Sequence, residues 1–187
     1  MAVPHGRSTW SLGEAWDDNM HFPDMQLCRY YPGPLDSVSW AVPLRAIGWL
    51  EHPHPFQSGV VPARLVPRLE ELVRQTAATF PLNGFAGVMT CSICKATGQK
   101  SPGPVWSQEN LIVPGVGEVY VTPGGIAHYV RDHGYMPPHN FVEAALGCPD
   151  CSSPNYIFAL REANGGLESP LEASLDSAFT FFRRPPN

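Results

Sequence analysis

Four residues of this chain have the types and the spacing of a zinc site. Cys91 and Cys94 form a C-x-x-C pair, and His128 and His133 lie five positions apart in the segment "HYVRDHGYMPPHNF". Zinc in proteins takes four ligands in a tetrahedral arrangement, drawn chiefly from cysteine and histidine. Two thiolates also balance the charge of Zn²⁺, so the ion can be buried without a residual charge. The sequence therefore predicts a structural zinc ion on these four side chains.

The spacing of the histidines needs a local explanation. On a regular α-helix, positions 128 and 133 point about 140° apart, whereas positions 128 and 132 are only about 40° apart. Gly134 can end the helix and let His133 turn toward the metal. We therefore predict His133 as the ligand, with Asp132 as a hydrogen-bond partner behind the ligands. Asp132 in place of His133 is the alternative.

A second C-x-x-C pair, Cys148 and Cys151 in "CPDC", allows three interpretations. It can complete a four-cysteine zinc site with Cys91 and Cys94, form a redox pair, or hold two free thiols. No thioredoxin-like βαβ pattern surrounds it. The four-cysteine site would leave both histidines unexplained, so we favour the site with two cysteines and two histidines. The fifth cysteine, Cys28, is predicted to be a small buried apolar residue.

The pattern of apolar residues predicts an α+β fold, in which a small antiparallel sheet and several short helices surround an expanded zinc-finger-like ββα site. Leucines at helical spacing in 62–80 predict a helix with Pro67 in its first turn. Further helices are expected in "GIAHYVRDHG", "PPHNFVEAALG" and "NYIFALREANGG", each ending in glycine. Strands are expected in "PLRAIGWLEH", "PVWSQENLIVPG" and "GEVYVTPG", and "GFAGVMTCSIC" reads as a strand entering a tight turn made by "KATGQ". The histidines of "HPHPF" are expected in a plain turn.

The chain of 187 residues divides into two parts by composition. Residues 1–40 form an aromatic and proline-rich arm, and residues 41–187 form the zinc-stabilised α+β domain. The arm either packs its aromatic side chains on the domain or offers them to a partner. The phenylalanines of the C-terminal "FTFF" are expected to pack back on the core.

Charge and hydropathy narrow the range of partners. The chain has 12 Lys and Arg against 17 Asp and Glu, and a net charge of −5. Contacts of Lys and Arg to phosphate supply most non-specific affinity for nucleic acids. A chain with so few basic residues is therefore not expected to bind DNA or RNA. No apolar stretch approaches the roughly 20 residues of a membrane span, and residues 1–19 are mixed and polar. We expect a cytoplasmic protein that does not enter membranes.

From about Ile47 to Leu160, the chain resembles a widespread family of uncharacterised bacterial proteins. The resemblance lies in "IGWLEHPHPFQSG", "CSIC" and "VYVTPGGIAHYVRDHGYMPPHNFVEAALGCP". It implies that Cys91, Cys94, His128 and His133 are the matched positions of a zinc site, and that the second cysteine of "CPDC" is particular to this chain. It implies no reaction.

These observations favour a protein-interaction or scaffold module with a structural zinc ion, whose partner is another protein. Its contact surface would be the aromatic arm together with "YMPPHNF", although the aromatic side chains of that segment can instead brace two helices. One alternative is a metal-dependent hydrolase or HNH-like nuclease, with Asp132, His139 or Glu143 as general base. Another is a sequence-specific nucleic-acid-binding finger, although Arg131 is the one basic residue besides the ligands on its helix. No H-E-x-x-H, G-x-S-x-G or Walker A motif occurs.

Overall fold

The structure is a computed structural model that describes four stretches of the chain. These stretches are residues 21–28, 40–80, 90–99 and 110–172. The described elements form an α+β fold, as predicted, with a three-stranded sheet and five helices. In chain order the elements are β1 (Leu44–Ala46), α1 (Leu65–Thr79), α2 (Ser92–Thr97), β2 (Asn110–Pro114), β3 (Val119–Pro123), α3 (Ile126–His133), α4 (His139–Gly147) and α5 (Pro154–Ala163).

The sheet is mixed, which differs in one respect from the antiparallel sheet expected from the sequence. Strands β2 and β3 form the expected antiparallel hairpin, with Ile112 opposite Val121. Strand β1 pairs with β3 in parallel, giving the strand order β1-β3-β2. A parallel pair needs a long crossover connection, and here α1 and α2 lie between β1 and the hairpin in the chain. No local sequence signal announces such a pairing.

The core lies on both sides of this sheet. Four of the five residues in each of β2 and β3 are buried, which is typical of a strand covered on both faces. Helix α1 contacts β2 as well as α3 and α4, and α4 and α5 also contact β2. The predicted apolar stripe of α1 is its buried face. Pro67 lies in the first turn of α1, where its missing N–H breaks no helical bond. The packing of these helices holds the hairpin in place, and the hairpin in turn positions α3, which follows β3 directly.

Residues 21–28 of the predicted arm pack against β1 and the residues after it. Phe22 bridges to Trp49, and their rings meet edge to face at 5.6 Å. The N–H of Cys28 donates to the carbonyl of Leu44 at 2.8 Å, and Cys28 is buried as predicted. The aromatic side chain of Phe22 thus packs against the core of the domain. Trp40, the last residue of the arm, is half-buried and packs against the core. Residues 1–20 and 29–39 of the arm, residues 84–89 of the expected strand and the C-terminal "FTFF" lie outside the described residues.

No helix within the described stretches has the length and apolar character needed to cross a membrane.

Candidate metal centre

The two cysteines of the first C-x-x-C lie at the start of helix α2. Cys91 is the N-cap, and its Sγ accepts a hydrogen bond from the N–H of Cys94 at 3.3 Å. The tight turn expected from "KATGQ" is not formed, because residues 95–97 continue the helix until Gly98, whose φ of 68° ends it. A sulfur atom can cap a helix N-terminus by accepting a free N–H, as the usual oxygen caps do. This capping bond brings Cys91 and Cys94 together.

The two histidines lie on helix α3, where His128 is in the first turn and His133 is the last residue. Gly134 follows as the C-cap with a left-handed φ of 65°, and its N–H donates to the carbonyl of Tyr129. The predicted helix end at Gly134 is therefore confirmed. The rings of His128 and His133 meet nearly at right angles, with centroids 4.8 Å apart. Their Nε2 atoms are 3.1 Å apart, so the two side chains converge despite the unfavourable interval along the helix.

The cysteine and histidine pairs meet between α2 and α3. Nε2 of His133 lies 3.3 Å from the Sγ of Cys91 and 3.3 Å from that of Cys94. Nε2 of His128 lies 3.4 Å from the Sγ of Cys94. One ligand atom from each of the four residues falls within 4.8 Å of the others. Zinc–sulfur and zinc–nitrogen bonds of about 2.3 and 2.0 Å give a tetrahedron with edges of roughly 3.3–3.8 Å. The cluster therefore could hold a metal ion of this kind.

Burial distinguishes three of these side chains from the fourth. Cys91, Cys94 and His128 are at most 3% exposed, whereas His133 is half-buried. Burial raises the pKa of Cys91 to about 11; the backbone N–H of Cys94 opposes this rise, and the Cys94 thiol adds to it. Burial and the nearby His128 lower the pKa of His133. Without a metal at neutral pH, Cys91 is therefore a thiol and His133 a neutral imidazole.

Asp132 is on α3, next to His133, and its carboxylate lies behind the cluster. Its Oδ2 is 2.6 Å from Nδ1 of His128, on the side of the ring away from the sulfur atoms. Arg131 donates to the same carboxylate at 3.0 Å and to Glu70 on α1 at 2.5 Å. The hydrogen bond from Arg131, and next that from His128, lower the pKa of Asp132. Asp132 thus orients His128, as expected, while His133 takes the place in the cluster.

The second C-x-x-C pair lies elsewhere in the fold and is held against α1. The Sγ of Cys151 contacts the hydroxyl of Thr76 at 3.5 Å. Arg68 donates to the carbonyl of Cys148 and, at 3.0 Å, to Asp150. Burial raises the pKa of both thiols, that of Cys148 to about 12. The structure does not assemble a four-cysteine group, since in the described stretches these two cysteines join no cluster of metal-binding side chains.

The remaining candidates from the sequence are placed away from the cluster. His139 and Glu143 face each other on α4 at 3.6 Å, and both are largely exposed. His54 lies in the predicted turn and stacks on His21, with ring centroids 4.1 Å apart. Tyr135 and Phe141, expected to be on a contact surface or bracing two helices, are fully buried and brace the core. Sequence reasoning missed the link from Asp132 through Arg131 to Glu70, because it crosses between helices far apart in the chain.

The fold and the site define a small α+β domain with a cysteine- and histidine-lined candidate metal centre. Residues 20–146 match DUF7919, a domain of unknown function. The match spans 127 of the 187 residues, so the chain belongs to this family. It includes all four cluster residues and ends before Cys148. Comparisons with curated proteins and with solved structures found no match.

Proposed function

We propose that this domain binds one structural Zn²⁺ through Cys91, Cys94, His128 and His133, and that it serves as a protein-interaction or scaffold module. The observation that carries the proposal is the convergence of two Sγ and two Nε2 atoms within 4.8 Å. The ligand atoms come from two helices that are separated in the chain by the β2–β3 hairpin. A set of two thiolates and two imidazoles favours zinc over the harder divalent cations.

A structural role follows from the number and the setting of the ligands. Four protein ligands fill the tetrahedral shell of zinc and leave no position for a reacting water. The ion would join α3 to α2, a helix of six residues that is too short to be stable alone. Because the site forms only when both helices are in place, the free energy of metal binding would contribute to folding.

The positions of the candidate bases support this role over metal-dependent hydrolysis. A hydrolytic site needs a general base facing an open ligand position. The carboxylate of Asp132 is engaged by His128 and Arg131. His139 and Glu143 pair with each other on the exposed side of α4. None of the three belongs to the cluster in the described residues.

The interaction role is supported by what the surface offers to a partner. Large apolar side chains at Val60, Val116 and Phe158 are from 62% to 101% exposed. Tyr135 and Phe141, by contrast, are part of the core. The proposed contact surface therefore includes exposed side chains such as Val60, Val116 and Phe158, and excludes the aromatic residues of "YMPPHNF".

Cobalt substitution tests whether the site is closed. Co²⁺ in a tetrahedral shell of two thiolates and two imidazoles gives intense visible and sulfur-to-metal charge-transfer bands. We expect one Co²⁺ per chain with these bands, unchanged by added azide, and the same spectrum from the control variant His139→Ala. A weak spectrum of a six-coordinate ion, or a shift on adding azide, would show an open position and contradict the structural role.

A further inference from the structure

A largely apolar groove of about 480 Å³, which we call the α5 groove, runs along one face of helix α5. Pro154, Ile157, Phe158 and Arg161 line it, at the i, i+3, i+4, i+7 spacing of a single helix face. Thr79, the last residue of α1, also lines it. Phe158, in the middle of this face, is 62% exposed. The α5 groove is therefore an apolar helix face of the kind that packs against a second helix.

The chain turns back directly after α5 and starts a new helical turn. The side-chain amide of Asn164 fixes the connection by donating to the carbonyls of Leu167 at 3.3 Å and Glu168 at 3.1 Å. The residues after Ser169 are helical as far as they are described. The hydroxyl of Ser169 caps them by accepting a hydrogen bond from the N–H of Glu172 at 3.3 Å. A connection this short is typical of neighbouring antiparallel helices.

The last described residues are fixed at the α5 groove itself. Glu172 lines the groove, and its carboxylate accepts a hydrogen bond from Nε of Arg161 at 2.9 Å. Leu171, beside it, is only 1% exposed. Arg161 lies at the C-terminal end of the α5 face, so the following chain starts from that end of the groove.

The residues that follow have the pattern of a helix with one apolar face. The apolar positions, at i, i+4, i+7, i+8 and i+11, are Leu171, Leu175, Ala178, Phe179 and Phe182. Two antiparallel helices that each rise about 1.5 Å per residue keep the register set by the pair of Arg161 and Glu172. Leu175 then comes opposite Phe158, and Phe179 opposite Pro154. The apolar face of the segment thus matches the apolar face of α5 in position and in length.

We infer that residues 173–182 of this chain dock in the α5 groove as a helix antiparallel to α5. The apolar face of the segment covers Ile157 and Phe158, and its polar residues face solvent. The pair of Arg161 and Glu172 sets the register, and the buried Leu171 shows which face of the helix turns inward.

The docked segment bears on the proposed interaction role without depending on it. It covers Phe158, which is one of the exposed apolar side chains of the proposed contact surface. Val60 and Val116 do not line the α5 groove and stay available. A partner that contacts Phe158 therefore has to displace the segment first.

The experiment measures how fast chymotrypsin, which cleaves after aromatic residues, cuts the full chain after Phe179, Phe181 and Phe182. Mass spectrometry of the fragments identifies each bond, and a synthetic peptide of residues 173–187 gives the rate for an uncovered segment. Phe158→Ser removes the centre of the groove, and Leu175→Ser removes its predicted contact. Leu27→Ser, which changes an exposed apolar residue outside the groove, is the matched control. Near-ultraviolet circular dichroism checks the fold of each variant independently of its metal content.

We expect cleavage of the wild type to be at least about tenfold slower than that of the peptide, and each groove variant to cut about tenfold faster than the wild type. Leu27→Ser and a tenfold dilution should change nothing. The inference is overturned by wild-type cleavage as fast as that of the peptide, or by a folded groove variant that keeps the wild-type rate. If Phe158→Ser does not fold, Leu175→Ser decides alone.

Two further outcomes would assign the α5 groove to another occupant and also overturn the inference. Protection that is lost on dilution would point to a second copy of the chain. Faster cleavage of Phe158→Ser after Phe85, in place of the three C-terminal sites, would point to residues 81–89, which follow α1.

Discussion

Nδ1 of His128 lies 2.6 Å from the carboxylate of Asp132, one helical turn further along α3. The contact fixes the proton of His128 on Nδ1 and leaves Nε2 to face the sulfur atom of Cys94 at 3.4 Å. Such carboxylate–histidine pairs orient a metal ligand and increase its basicity. Asp132, the alternative to His133 as a ligand on helical geometry alone, thus supports the site by orienting His128.

Replacing Asp132 with Asn should weaken zinc binding by about 10- to 100-fold, because the negative partner of His128 is lost while its shape is kept. The measurement is competition against a chromophoric zinc chelator. Glu70→Gln disturbs only the outer, exposed pair with Arg131, and we expect a change of less than about threefold. Equal losses in the two variants would show that Asp132 has no special role.

His133→Ala and Cys151→Ala distinguish the two possible ligand sets. His133 lies 3.3 Å from both sulfur atoms of the first pair, while Cys151 contacts Thr76. We expect His133→Ala to lose zinc during dialysis and to lower the midpoint of thermal unfolding, and Cys151→Ala to retain one zinc. Zinc lost from Cys151→Ala but kept in His133→Ala would establish the four-cysteine site instead.

Zinc binding should release a proton from the Cys91 thiol at neutral pH, because thiolates are the metal ligands. Burial raises the pKa of Cys91 to about 11, and the lowered pKa of His133 means that this imidazole has no proton to release. In the metal-free protein, the raised pKa of Cys91 stabilises the fold below the ordinary pKa of a thiol, and this contribution is lost as pH rises through about 11. The affinity for zinc depends on pH in the opposite sense to this stability. It falls as pH falls, because protons compete with zinc for the sulfur atoms. Calorimetry in buffers of different ionisation enthalpy counts the protons, and a count near zero would contradict thiolate ligation.

Gly134→Ala tests the geometry that ends α3. The φ of 65° lies in the left-handed region, and no atom lies within 4 Å of an added Cβ, so the cost is one of backbone alone. We expect a loss of about 1 kcal/mol in the free energy of unfolding. Gly98→Ala has the same backbone conformation at the end of α2 and is the matched comparison. No loss in Gly134→Ala, measured by denaturant unfolding of the zinc-loaded protein, would mean that the helix end tolerates an ordinary residue.

The cluster could be predicted because metal coordination restricts residue type and spacing more strongly than packing does. The C-x-x-C pair, the two strands and the histidine helix follow one another as expected, and Gly134 ends the helix. The parallel pairing of β1 with β3 could not be predicted, because it joins segments far apart in the chain without a local signal.

Local patterns also failed where burial or long-range contacts decide the outcome. The residues after Cys94 form a helix since the sulfur of Cys91 caps it. Tyr135 and Phe141 read equally well as surface or core. The bonds from Arg68 to the "CPDC" loop cross from α1 to the end of α4, and no sequence pattern indicates such a contact.

Cys91, Cys94, His128 and His133 are proposed to bind one zinc ion. Inductively coupled plasma mass spectrometry of protein purified without chelators or a polyhistidine tag measures this most directly, with the double variant Cys91→Ala/Cys94→Ala as control. We expect about one zinc per wild-type chain and none in the double variant. Wild-type protein without bound metal, or a double variant that retains a full equivalent of zinc, would contradict the claim.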